Sequence, residues 1–241
     1  MSARTFVLVH GGGHGGWCYQ RLAPLLRKEG HEVYTPTLTG LGERAHLVRP
    51  DTDLDTHITD VVAVLKYEAL KDVILVGHSY GGMVITGVAD RAADRVGHIV
   101  YLDAANPVNG ESLATHAKAI MDAQHAGARI VNGVELVMFP SVEVAHMLGI
   151  TNPADVAWLV ERLTPHPWKS FAQPLRLTNE AALWKIPQTH IVCTATLATR
   201  DRARLEKLSQ GRFWDINTGH NLMITEPRKV ADLLLRVAAL A

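Results

Sequence analysis

The chain has 241 residues, with 47% hydrophobic and 20% charged side chains, values of an ordinary globular protein. Its 24 Lys and Arg balance 24 Asp and Glu. That zero net charge excludes both the basic footprint of a nucleic-acid binder and a polybasic membrane anchor. No apolar run approaches the roughly 20 residues of a membrane span. The N-terminal MSARTFVLVHGGG carries a strand-length apolar run without a cleavage site, so the expected location is cytoplasmic. Cys18 and Cys193 are too few for a disulfide framework and are expected to be reduced.

In chain order, Phe6–Val9 reads as a buried strand ending at His10 and a glycine cluster. Trp17–Lys28 has helical spacing and stops at Gly30. Glu32–Thr35 is a strand and Ile58–Ala69 a helix. Val73–Val76 is a continuous apolar run, as in a strand covered on both faces. A helix follows from Tyr80 toward Ala93. Ile99–Leu102 and His190–Thr194 repeat the buried-strand pattern, Arg212–Ile216 does so more weakly, and Pro227–Leu240 is an amphipathic helix. Alternating strands and helices predict an α/β fold with a mostly parallel, doubly wound sheet. The stretch from Pro107 to Trp184 shows helical patterns and no good strand. It is read as a cap inserted into one domain, with a core of residues 1–106 and 185–241 and a cap of about 107–184.

Gly77-His78-Ser79-Tyr80-Gly81 follows the Val73–Val76 strand and opens a helix, which is G-x-S-x-G in its strand–turn–helix context. The turn is too tight for side chains at Gly77 and Gly81, and it lifts the Ser79 hydroxyl above the sheet. His78 is expected to point away from the catalytic face. The glycine loop His10-Gly11-Gly12-Gly13-His14 would supply a second oxyanion donor, so the N–H groups of Gly12 and Tyr80 form the expected hole. A dinucleotide or phosphate loop is disfavoured by the lack of G-x-x-x-x-G-K-[ST], and no cofactor is expected. His10 and His14 lack a carboxylate partner for a metal and are expected to brace the loop. Of thirteen histidines, only His220, in Thr218-Gly219-His220-Asn221, follows the last strand, where the general base belongs.

FVLVHGGGHGGWCYQRLAPLLRKEGHEV, VILVGHSYGGMV, IVYLDAANP, HIVCT and TGHNLMITEP span the chain. Together they make it resemble the plant methylesterase and hydroxynitrile lyase branch of the α/β-hydrolases, with its bacterial esterase relatives. The resemblance implies an α/β-hydrolase fold with a helical cap and cofactor-free serine chemistry. Its substrates would be small carboxylic esters or carbamates carrying an aromatic or apolar group. Hydroxynitrile lyases of the branch carry Thr and Lys where this chain has Gly11 and Asn221, which makes hydrolysis the default and lyase activity the weaker alternative. Plant members place the triad acid where this chain has Thr196. Asp103, at the end of the preceding strand, is assigned instead. Asp201 is the runner-up, and a chain with no acid, including a non-catalytic small-molecule binder, stays open. Met121, Met138, Phe139, Trp158 and Trp168 are expected to wall an apolar pocket, bordered by His14 and Cys18. The oligomeric state is left open, a homodimer included.

Overall fold

The computed structural model describes residues 2–240, so residues 1 and 241 of the expected core lie outside it. Nine strands occur among the described residues: β1 Thr5–Val9, β2 Glu32–Tyr34, β3 Val73–His78, β4 Val96–Leu102, β5 Arg129–Val131, β6 Val134–Val137, β7 His166–Pro167, β8 Gln188–Cys193 and β9 Phe213–Ile216. Six of them form one sheet in the order β2-β1-β3-β4-β8-β9. Every pairing in it is parallel. Phe6 to Val9 and all of β3 are buried, which is why both read as unbroken apolar runs.

From β1 the chain crosses to β2 on one side. From β3 it moves the other way, to β4, β8 and β9. Crossovers of one hand running in opposite directions place their helices on opposite faces. They also leave a crevice at the reversal, between β1 and β3, where open parallel sheets hold their ligands. The Gly81–Arg91 helix packs on Leu54–Tyr67, and Ala23–Lys28 packs on Pro227–Leu240.

Two elements differ from the sequence reading. Trp17–Lys28 is not one helix but a 3-10 turn, Gly16–Tyr19, followed by Ala23–Lys28. Pro24 lies in the first turn of the second piece, where its missing N–H does no harm. The segment between β4 and β8 is not purely helical. Beside short helices such as Lys118–His125, Val142–Met147, Pro153–Arg162 and Trp168–Ala172, it holds the antiparallel sheet β5-β6-β7. Its hairpin turns on Asn132-Gly133, both at positive φ, with Val131 opposite Val134. Asn-Gly is the strongest short hairpin signal. Three-, four- and two-residue strands are too short to show alternation around it. No helix among the described residues is long and apolar enough to cross a membrane.

Candidate active site

Ser79 stands directly after β3 with φ +54°, in the left-handed region. The turn closes on backbone. A Cβ at Gly77 would lie 2.6 Å from the Gly81 carbonyl oxygen, one at Gly81 2.6 Å from that of Val9, and one at Gly82 1.9 Å from that of Ala105. The Ser79 carbonyl accepts from the N–H groups of Gly82 and Ala105, which ties the elbow to the segment after β4. The Ser79 hydroxyl has no hydrogen-bond partner among the described residues, and the residue is half-buried at the open end of the sheet.

His220 follows β9, and its Nδ1 donates to Oδ2 of Asp103 at 2.5 Å. Asp103 closes β4, again at positive φ (+46°), and its side chain is fully buried. Burial alone would push this carboxyl up. The hydrogen bond and charge of His220, helped by Arg200 and Thr196, outweigh it and hold the group well below the usual carboxylate range. Thr196 stands where plant relatives carry the acid, and its hydroxyl donates to Asp103 Oδ1 at 2.6 Å. Asp201 instead caps the Arg202–Leu208 helix by accepting from Arg204 N–H, and it has no contact with His220.

Gly12 and Tyr80 are both buried, and neither backbone N–H donates to another group among the described residues. Buried N–H groups without acceptors are rare enough to need a reason. The Tyr80 side chain is anchored away from them. Its hydroxyl donates to His57 Nδ1 (2.8 Å), because His57 Nε2 must donate to the Thr39 carbonyl (2.9 Å). Gly12 has no room for a side chain, since a Cβ would meet Phe171 at 2.9 Å and Phe139 at 3.0 Å. At Gly11 a Cβ would meet Ser79 Cβ at 2.8 Å, so a threonine there would press on the serine.

The histidines form a buried neutral belt around this loop. His10 Nδ1 donates to the Gly11 carbonyl, and its Nε2 accepts from Leu38 N–H. His14 Nδ1 donates to the Gly12 carbonyl at 2.7 Å, and its Nε2 accepts from Asn221. His166 Nδ1 accepts from Gly13 N–H, and its ring stacks on Phe171. His78 does not point away from the site. Its ring lies 4.7 Å from that of His220, centroid to centroid, and its Nε2 donates to the His220 carbonyl. It ties down the loop that carries His220.

Burial drives His10 down to about 3 and His14 to about 4, and does the same elsewhere to His98 (about 4) and His190 (about 3). Unfolded histidine titrates near 6.5. Between pH 6.5 and these values the unfolded chain takes up protons that the folded chain refuses, so stability falls as pH falls. Each such residue forfeits about 1.4 kcal/mol per pH unit. Four of them together rival the roughly 5–15 kcal/mol stability of a domain. The urea midpoint is therefore expected to be flat from pH 7 to 8 and to fall as pH drops below 6.5. Equal midpoints at pH 7.5 and 5 would refute the neutral belt.

The expected pocket residues divide. Met138 and Phe139 line an apolar groove of ≈ 550 Å³, with Ile120, Val137 and Met147, and Phe139 joins it to the glycine loop. The others are not among the residues that line this groove. Met121 is buried on the inner side of its helix and Cys18 has no exposure. The guanidinium groups of Arg21 and Arg162 each lie over the Trp158 ring, and Trp168 stacks on His125. His14 serves the loop from behind. The sequence reading missed Phe171, His57, His166 and Arg200. Their roles come from contacts between distant segments, for which no local spacing exists.

The model of the alpha/beta hydrolase family matches residues 6–233. A carbendazim hydrolyzing esterase from Nocardioides sp. (strain SG-4G) is 38% identical, over 95% of this chain and 98% of that one. An extracellular alpha/beta-hydrolase from a Paenibacillus species superposes with a TM-score of 0.76 at 26% identity, covering 97% and 98% of the two chains. A methylesterase from Arabidopsis shares the fold with a TM-score of 0.79 at 23% identity, covering 99% and 100%. With the family's pattern matched over nearly its whole length, the chain belongs to the alpha/beta hydrolase family.

Proposed function

We propose that the protein is a serine esterase that cleaves a small carboxylic ester or an aryl methyl carbamate through an acyl-enzyme on Ser79. It is a carboxylic ester hydrolase, and the finer reading is supported by one observation: Asp103 holds the His220 ring 4.7 Å from the ring of His78, the residue that directly precedes the strained, unpartnered Ser79. Asp103 occupies Nδ1, which leaves Nε2 free to take the Ser79 proton. The serine oxygen attacks the carbonyl carbon, and the N–H groups of Gly12 and Tyr80 receive the developing oxyanion. Such a donor typically contributes about 2.7–4 kcal/mol. His220 then returns the proton to the departing alcohol. Water, activated by the same nitrogen, releases the acid and frees the serine. A carbamate follows the same steps through a carbamoyl-enzyme, and the carbamic acid released loses carbon dioxide to leave an amine.

The carbamate arm is favoured by the esterase named for carbendazim, at 38% identity over nearly the full length. The apolar groove beside Phe139 suits the aromatic part of such a substrate. A screen of aryl esters, methyl esters and aryl methyl carbamates tests the reading, with fluorophosphonate labelling of Ser79 alongside. Turnover of at least one class together with labelling is expected. Labelling without turnover of any of them would overturn the substrate class. Neither labelling nor turnover would overturn the serine mechanism and favour a small-molecule binder. Cyanide release from mandelonitrile is expected to be negligible beside ester hydrolysis, since Gly11 and Asn221 replace the lyase residues.

A further inference from the structure

Asp103 is shared. Its Oδ2 takes His220 Nδ1–H (2.5 Å) and the Cys193 thiol (3.2 Å). Its Oδ1 takes the Thr196 hydroxyl (2.6 Å), Cys193 N–H (3.3 Å) and Arg200 Nη2 (3.0 Å). Arg200 also reaches the main chain. Nη2 donates to the Asp103 carbonyl (3.1 Å) and Nη1 to that of Ala104 (3.2 Å). One guanidinium thus grips the carboxylate and both carbonyls of a turn whose first residue sits at φ +46°. The ion pair is well buried, with the Asp103 side chain fully enclosed and that of Arg200 18% exposed. A forked, planar cation suits such a three-point grip and an ammonium does not.

We infer that Arg200 is a positioning residue that clamps the Asp103 turn against His220 and, by its charge on the far carboxylate oxygen, limits how strongly Asp103 favours the protonated imidazole. The inference rests on the reading of His220 as the general base. Placing a cation on Asp103 withdraws part of the negative charge that a protonated His220 would face, and charges this close and this buried are weakly screened. The remaining groups facing the His220 ring are His78 beneath it and His14 in the glycine loop. Burial holds the first well below the usual histidine range and the second at about 4, so neither carries charge at neutral pH. Asp103 and Arg200 are then the charged pair beside the His220 ring among the described residues. Thr196 completes the arrangement. A carboxylate at that position would face Asp103 Oδ1, whereas its hydroxyl donates to it.

The test is the pH dependence of Ser79 labelling by a fluorophosphonate, which needs neutral His220 and no knowledge of the natural substrate. The wild type is expected to show a single acid limb that is absent from a His220→Ala control. If the wild type has no such limb, the reading of His220 as base fails. Given that limb, Arg200→Gln is expected to move it upward by about one pH unit and to slow labelling at the plateau about tenfold. Arg200→Lys keeps the charge and loses the fork, so its limb should stay with the wild type while its plateau falls. An unshifted limb in Arg200→Gln overturns the inference. So does a limb in Arg200→Lys that moves a full unit, a measurement that stands even if the glutamine variant does not fold.

Discussion

Ser79→Ala is expected to lower kcat by about six orders of magnitude, the loss seen when a serine hydrolase of this mechanism is stripped of its nucleophile alone. The fold should not notice. The Ser79 hydroxyl holds no hydrogen bond, and only one oxygen is removed from a half-buried position. Alanine suffers the same left-handed backbone strain as serine, so the elbow's φ of +54° costs neither variant more than the other. What survives in the variant is the proposed oxyanion pair, Gly12 and Tyr80, without the proposed covalent route through Ser79. The check is kcat on the best substrate of the screen beside a thermal melt. A melt within about 1 °C of the wild type and a vanishing rate are expected, because surface-like changes stay within about 0.5 kcal/mol. Retention of more than a few per cent of the rate would remove Ser79 from the mechanism.

The parts of this site that the sequence exposes are those where backbone geometry dictates residue type locally. Gly77 and Gly81 are legible because their neighbours are backbone atoms at 2.6 Å, which no side chain can push aside. β3 is legible because both of its faces are covered, so all six residues are buried and its core reads as Val-Ile-Leu-Val. His220 is legible from its order in the chain, after the last strand. Asp103 needs the resemblance as well, since only the expected acid at 196 and its replacement by Thr make its absence noticeable. Arg200 could not be read at all. It lies 97 residues from the carboxylate it grips, in a charged stretch where an arginine is unremarkable. The aromatic residues of the cap are ambiguous in the sequence for a related reason. Apolar character fits a pocket wall, but it fits equally well the cation–π contacts of Trp158 with Arg21 and Arg162 or the stack of Trp168 on His125. The Asn132-Gly133 hairpin was legible in principle, and the short strands around it hid it.

Asp103→Asn is expected to lower kcat at least about a hundredfold while leaving a folded protein, by analogy with the roughly 10⁴ lost in a serine protease carrying the same change. The side chain keeps its shape, so packing in this fully enclosed position is preserved. Its hydrogen-bonding character does not survive. Thr196 and Arg200 both donate to Oδ1, which requires the amide oxygen on that side. The amide NH2 then faces His220 Nδ1 and can only donate to it. The ring is forced into the tautomer with its proton on Nε2, the nitrogen that must receive the proton of Ser79. The base is blocked before any charge develops, and an imidazolium that did form would have no anion beside it. The second cost falls on Arg200, left well buried without its counter-charge. About 1–3 kcal/mol of stability is expected to go with it, visible as a lower Tm but short of unfolding. Asp201→Asn supplies the control. Asp201 caps a helix, a task asparagine performs equally well, so neither kcat nor Tm should move. An Asp103→Asn enzyme with a near-normal kcat would show that His220 finds its orientation without a carboxylate, and the assignment of Asp103 would fall.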